Sequence, residues 1–396
     1  MIVPKPDYAS GCISNVIAAT SMALAKRRGG YDWPTFDSLE EAIGSSDSSF
    51  AFDAASWLPR SVVESNQVVV LVVDGLGALQ LDKHLGKLPN ISLLRGSVID
   101  SVAPTTTATA LTSIATGKAP INHGIIGYRI NIPDGHIMNT LTWRCDGLDG
   151  RSGPDPSSIS LSRSFFDLEV AVISKVIFKD TYFSRAYLGD RNFRYFRTIS
   201  SMVGEIKSSL VAGSPLVYSY YEGVDNVAHE FGLGDHYAME LEFLDFYIGE
   251  ILKVLPKGAS LLVTADHGQV EVLEKPIQMD DFILDRITRM SGESRFRWLH
   301  CDGSNTEAIY ECANDLYGEF GWVLTKEEAL DSGLFGLGSQ VNKDVVARRL
   351  GDVALIARSD IAFYDPLETG PMELICRHGS LTEAEVKVPL IGYLAE

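Results

Sequence analysis

Along the chain, apolar runs rich in valine and isoleucine alternate with stretches of helical spacing, the pattern of a parallel sheet covered on both faces. The clearest strands are expected at 67–73 (QVVVLVV), 215–221 (PLVYSYY) and 259–265 (ASLLVTA). Each run ends directly in residues able to bind a ligand: Asp74-Gly75, Glu222-Gly223-Val224-Asp225 and Asp266-His267-Gly268. Open α/β sheets place their sites beyond the carboxyl ends of the strands, so these loops are expected to converge on one rim. Between the last two strands, 235–255 carries apolar residues at helical spacing and predicts the crossover helix. Residues 13–25 are mildly apolar, with their charges following rather than preceding them, which predicts an amphipathic segment of the fold instead of a leader.

Two regions have weaker strand signals, roughly 129–200 and 271–345, and are expected to form a cap or substrate region on a single catalytic domain spanning 1–396. The most loop-like stretch, 146–158, is rich in Gly, Pro, Asp and Ser. A chain of 396 residues, 45% hydrophobic, can bury a large core. Its 34 basic and 52 acidic residues leave a net charge of −18, which repels nucleic-acid polymers and acidic membranes. A small anionic substrate stays compatible with that field if a metal or local arginines offset it. Cys12, Cys145, Cys301, Cys312 and Cys376 are scattered and form no C-x-x-C pair, so neither a disulfide framework nor a thiolate zinc site is expected. No run approaches the roughly 20 apolar residues of a membrane span. The expectation is a soluble protein of the cytoplasm.

The segment APTTTATALTSIATG, 103–117, opens with Pro104 and closes with Gly117, the punctuation of a helix. Its hydroxyls have two readings: Thr105 or Thr106 as an N-cap, or one threonine as a nucleophile facing a phosphate at the helix start. Further on, EGVDNVAHEFG spaces Asp225 and His229 one helical turn apart. The stretch VTADHGQV puts Asp266 and His267 at a strand end, LVVDGLG puts Asp74 at another, and ICRHGSLT offers His378 in a loop. Each alone is cheap, since turn formers and loop histidines are common. Together the four loops supply three aspartates and three histidines, hard oxygen and borderline nitrogen donors suited to Zn²⁺ or Mn²⁺. That is enough for two cations.

With VVDGLG, PTTTATALTSIATG, NHGIIGY, DNVAHEFG, TADHG and RHGS in this order, the chain resembles the alkaline phosphatase superfamily, in its nucleotide pyrophosphatase/phosphodiesterase branch. The resemblance runs from about Gln67 to the C-terminus. It implies a three-layer α/β/α sandwich with a largely parallel central sheet and cap-like insertions. It also implies two divalent metal ions, Zn²⁺ first and Mn²⁺ as the alternative. Asp74, Thr107, Asp266 and His267 would surround one, and Asp225, His229 and His378 the other. Aligning the closing Thr-Gly of the family motif on Thr116-Gly117 assigns the nucleophile to Thr107. The implied chemistry is hydrolysis of a small phosphorylated substrate, a phosphodiester or nucleotide pyrophosphate, through a covalent phosphothreonine.

Nucleotide-cleaving relatives follow the nucleophile with an aromatic residue and carry an asparagine after His-Gly-Ile. Here Ala108 and Gly127-Tyr128 stand at those positions, so Tyr128 or Arg129 is expected to substitute as a phosphoryl contact. Further candidate substrate contacts are Trp143, Arg144, Tyr182, Phe183, Arg185, Arg295, Phe296, Arg297 and Trp298, since arginine forks and aromatic faces suit a planar anion. For each the alternative is packing of the insertions' own core. His123 and His300 are read as structural. Competing functions are a phosphomonoesterase, a phosphonate hydrolase, a phosphoglycerate mutase relative, whose nucleophile is usually serine, and a non-catalytic metal-binding scaffold.

Overall fold

Seven strands make the central sheet of the computed structural model, which describes residues 2–28, 57–146, 152–189, 193–368 and 374–396. In chain order they are β1 (Gln67–Val73), β2 (Arg95–Asp100), β3 (Ala171–Lys175), β4 (Phe193–Phe196), β5 (Leu216–Tyr221), β6 (Ala259–Thr264) and β7 (Lys387–Leu394). They lie in the order β2-β7-β6-β1-β5-β3-β4. Parallel pairing joins β6, β1, β5, β3 and β4, while β7 runs antiparallel to both β6 and β2. The center of the sheet is the part with the strongest apolar signal. Val68 to Val73 are all fully buried, each contributing roughly 1.5 kcal/mol or more, and their β-branched side chains suit a pleat covered on both faces.

The register aligns the strand ends that matter. Val73 of β1 sits opposite Tyr221 of β5, and Val72 opposite Thr264 of β6, so the loops after these three strands leave the sheet side by side.

Two segments differ from the sequence expectation. Helix α1 (Ile13–Arg28) is buried on nearly every face from Ile13 to Ala25, with Lys26, Arg27 and Arg28 at its C-terminal end, where cations complement the helix dipole. Its alanines, serines and threonines hide that burial in a polarity pattern. The region 129–200, expected as an insertion, contributes β3 and β4 to the central sheet itself. These strands are short, and β4 at the sheet edge is mostly half-exposed, so its apolar run is broken. Of the loop expected at 146–158, residues 147–151 lie outside the described residues; its remainder forms a helical turn capped by Asp155.

A second, antiparallel sheet packs beside the first, from strands Ile287–Glu293, Phe296–Cys301, Val353–Ala357 and Gly321–Thr325 in that spatial order. Its period-two alternation serves two cores. Phe296, Trp298, Ala354 and Ile356 join the main core, whereas Leu299, Val353, Leu355 and Ala357 join a smaller one under the helix Thr306–Tyr317. Among the described residues no helix is long and apolar enough to cross a membrane.

Candidate active site

Asp74 follows β1 directly, and the turn after it depends on Gly75. That residue has φ +72°, and a Cβ there would lie 3.0 Å from the Asp225 backbone. Asp225 and His229 sit one turn apart on helix α3 (Gly223–Phe231), which starts where β5 ends. Asp266 and His267 follow β6. His378 comes after the short strand Cys376–Arg377, paired with Val270–Glu271. Thr107 opens helix α2 (Thr107–Thr116), which ends at Gly117 in the left-handed conformation.

The threonines before α2 do not cap it. Thr106 has the extended backbone of an N-cap, but no side chain accepts from the helix start. Thr105 instead ties that start to the His378 loop. Its hydroxyl donates to the Ser380 carbonyl (2.7 Å) and accepts from the Gly379 N–H (3.0 Å). Within the fully buried α2, Thr112 and Thr116 bond back to carbonyls four residues earlier, which satisfies hydroxyls that water cannot reach.

Two clusters of potential metal-binding side chains result. Asp74, Asp266 and His267 form one, and Asp225, His229 and His378 the other, each with its donor atoms within 4.8 Å of one another. In the first, His267 Nε2 lies 3.2 Å from Thr107 Oγ1, 3.3 Å from Asp74 Oδ1 and 3.4 Å from Asp266 Oδ2. In the second, Asp225 Oδ1 lies 3.3 Å from His229 Nε2 and 3.9 Å from His378 Nε2. The rings of His267 and His378 stack at 3.6 Å and join the clusters.

All three imidazoles are held the same way. Nδ1 of His229 meets the Cys376 carbonyl at 2.7 Å, that of His267 the Gly268 carbonyl at 3.1 Å, and that of His378 the Thr105 carbonyl at 2.8 Å. A carbonyl only accepts, so Nδ1 carries the proton and Nε2 is left to point at carboxylate oxygens. This is the arrangement in which a histidine binds a metal through Nε2, its ring fixed from behind. The carboxylates are partly held too. Asp266 Oδ1 accepts from the N–H groups of Gly75 (3.1 Å) and His267 (3.0 Å), Asp74 Oδ2 from the Tyr220 hydroxyl, and Asp225 Oδ1 from the Gln269 amide. The other oxygens of Asp74 and Asp266 are buried with no hydrogen-bond partner among the described residues.

Burial, then the neighboring Asp225 and Asp266, raises the Asp74 carboxyl well above the usual range, and burial foremost raises Asp266 to about 7. Burial pushes His267 down to about 3 and His378 well below its ordinary value. Burial opposes charge on Asp225 and His229 as well, but their mutual attraction outweighs it, lowering the acid and raising the base. Carboxylates crowded against unprotonated nitrogens suit divalent cations, which favor the deprotonated form of every donor in the set.

Beside the second cluster lies a cavity of about 220 Å³, lined by Asp225, His229 and His378 together with Thr107, Tyr128, Glu293 and Arg377, and by Phe363, Tyr364, Asp365 and Glu368 of one loop. Of the expected substrate contacts, Tyr128 lines it. Arg129 does not, because its guanidinium pairs with Asp365 at 2.5 Å and with Asp146. Arg295 is fully buried, bonded to the Glu385 carboxylate at 2.7 and 2.8 Å. Arg144 is exposed on a short strand away from the cavity. Arg297 pairs with Glu368, Trp143 donates to the Pro154 carbonyl, and Phe296 and Trp298 pack on Phe335. His123 and His300 are buried against Ser113 and Ser291. Glu293, Asp365 and Glu368 belong to no motif and were invisible to sequence reasoning, whereas Arg377 could have been found as the neighbor of His378.

Residues 68–381 match the type I phosphodiesterase / nucleotide pyrophosphatase family. The chain belongs to that family. It is a phosphoric ester hydrolase of the alkaline phosphatase superfamily. Among solved structures it is similar to human ectonucleotide pyrophosphatase / phosphodiesterase 5, at 16% identity over 82% of this chain and 87% of that one, with a TM-score of 0.61. The inactive murine form of that protein, in complex with AMP, matches at 15% identity over 83% and 87%, with a TM-score of 0.59. Phosphonoacetate hydrolase from Sinorhizobium meliloti, in complex with phosphonoformate, matches at 20% identity over 83% and 90%, with a TM-score of 0.60. These likenesses show the phosphodiesterase-family fold, a mixed α/β architecture around a mostly parallel sheet. No curated protein matches the chain in sequence.

Proposed function

We propose that the chain hydrolyzes small phosphodiesters or nucleotide pyrophosphates through a covalent phosphothreonine on Thr107, in a site of two divalent cations, Zn²⁺ first and Mn²⁺ as the alternative. The observation that carries this reading is the shared setting of the three imidazoles. Each is pinned at Nδ1 and directs Nε2 at carboxylate oxygens, with the Thr107 hydroxyl 3.2 Å from one of those nitrogens. Asp74, Thr107, Asp266 and His267 would hold one cation, and Asp225, His229 and His378 the other. When bound, such a pair lowers the pKa of the threonine hydroxyl and offsets charge on the transferring phosphoryl group and the departing oxygen.

The remaining work falls to the chain. The N–H groups of the first turn of α2 favor an anionic phosphoryl group beside Thr107. Thr107 Oγ1 attacks phosphorus, the P–O bond to the leaving group breaks, and that group, the alcohol of a diester or the phosphate of a pyrophosphate, takes up the proton. Water then attacks the phosphothreonine, releasing the phosphate monoester and restoring the hydroxyl. Tyr128, at the cavity edge, is the candidate donor to a phosphoryl oxygen. The strands at 287–357 and the loop at 361–368 act as a cap within a single catalytic domain.

A second reading, phosphonate hydrolysis, is favored by Ala108 and Tyr128 standing where nucleotide-cleaving relatives carry an aromatic residue and an asparagine. Initial rates on a chromogenic monoester, a diester, a nucleotide ester and a small phosphonate, with Zn²⁺ or Mn²⁺ resupplied to stripped protein, separate the readings. Fastest turnover of the diester or nucleotide ester supports the first, and a preference for phosphonate supports the second. No turnover of any of them refutes both.

A further inference from the structure

Helix and strand ends supply the ligands, but one residue that touches the first cluster comes from the interior of a strand and belongs to no motif. Tyr220, on β5, donates its hydroxyl hydrogen bond to Asp74 Oδ2 across the β1–β5 pair. The consequence is geometric. A carboxylate on a short side chain can rotate to offer either oxygen, and an engaged Oδ2 leaves Oδ1 as the one facing His267 Nε2 at 3.3 Å. That Oδ1 is buried without a hydrogen-bond partner. Asp266 is fixed in the same sense by two backbone N–H groups, which leave its Oδ2 buried and unpartnered. The two aspartates thus present one oxygen each to the same point, one set by the backbone and the other by a side chain.

We infer that Tyr220 is a positioning residue for the cation site formed by Asp74, Asp266, His267 and Thr107, holding Asp74 so that Oδ1 alone serves as ligand. This rests on the two-cation reading above. Tyr220 lies 5% exposed, and a buried hydroxyl donating to a carboxylate is a strong, charge-assisted contact in a site that water does not reach. Outer hydrogen bonds of this kind tune the affinity of a metal without touching it. Gln269 plays the corresponding part at Asp225, but there the amide bonds the oxygen nearest His229, so it does not select between the two oxygens.

The test is Tyr220→Phe, which removes only the hydroxyl, with Tyr218→Phe as its control. Tyr218 is buried two residues earlier on the same strand, and its hydroxyl makes no hydrogen bond to either cluster. Zn²⁺ affinity of the stripped full-length proteins is read by competition with a chromogenic chelator. The expected result for Tyr220→Phe is one of two sites weakened by about 10- to 100-fold and the other unchanged. Hydrolysis is then lost at limiting Zn²⁺ and recovered at saturating Zn²⁺ with the same KM. Tyr218→Phe should leave both sites as in the parent. Wild-type affinity at both sites in a folded Tyr220→Phe protein would overturn the role. So would equal weakening of both sites in the Tyr220 and Tyr218 variants, which would mark a merely structural effect. Failure of the unaltered protein to bind Zn²⁺ would defeat the two-cation reading itself.

Discussion

The rim of the central sheet and the cavity wall contributed by residues 363–368 use the same residue types to opposite ends. On the wall, buried or half-buried carboxylates meet guanidinium groups. Asp365 pairs with Arg129 and Glu368 with Arg297, and outside the cavity lining Glu385 pairs with Arg295. On the rim, Asp74 and Asp266 keep buried oxygens with no partner, and the bases beside them are imidazoles whose protons face away. Burying an unpaired carboxylate is costly, and a fold tolerates it where a ligand supplies the missing charge. Charge partnering, more than residue type, separates the rim from the scaffold. Glu293 marks the boundary. It lines the cavity with no arginine or lysine in salt-bridge contact among the described residues, and burial, then Glu368 and Glu385, pushes its carboxyl well above the usual range.

Substitutions on the two sides should therefore fail differently. The largest effect is expected for Thr107→Ala, with hydrolysis down by about 10³-fold or more while the protein keeps its cations. Turnover and metal content measured on one sample check this. Next is Arg129→Met on the wall, which leaves Asp365 buried with a weakened counter-charge. It should destabilize the fold by about 3–5 kcal/mol in urea unfolding, with cation content intact in the folded fraction. Equal loss of cations there would erase the distinction between rim and wall. Asp225→Asn and His378→Ala should each remove one cation and lower turnover by about 10²-fold, the two falling together. Normal turnover with full metal in both would refute the second site.

The smallest effect is a pH dependence from the scaffold. His123 is buried and neutral, its ring donating to Ser113 and accepting from the Ile125 N–H, and burial holds it down at about 3. Unfolded, it titrates near 6.5. The unfolded chain binds the proton that the folded one refuses, so stability falls as pH drops from about 6.5 toward about 3. In His123→Gln the unfolding midpoint should fall less steeply over that range.

The rim was legible because strands buried on both faces read as unbroken apolar runs and each hands directly to the aspartates and histidines that gather there. Strands β1, β5 and β6 fall within one residue of the runs that predict them. Small-residue burial was not legible. Helix α1 looks mildly amphipathic because alanine, serine and threonine pack as well as leucine where backbones approach closely. Nor were the arginines, since the role of Arg129 is decided by Asp365, 236 residues away. A guanidinium poised for substrate and one neutralizing a wall look identical in sequence. Within APTTTATALTSIATG the hydroxyls of Thr105, Thr112 and Thr116 answer to tertiary partners and backbone carbonyls, which no local capping rule anticipates.

The claim at the center is that the unpartnered rim oxygens and the three Nε2 atoms exist to hold cations. Calorimetric titration of stripped protein with Zn²⁺ tests it most directly. Two equivalents are expected to bind per chain, with ester hydrolysis absent before and present after. A stripped protein that hydrolyzes esters undiminished, or that takes up no Zn²⁺, would contradict it.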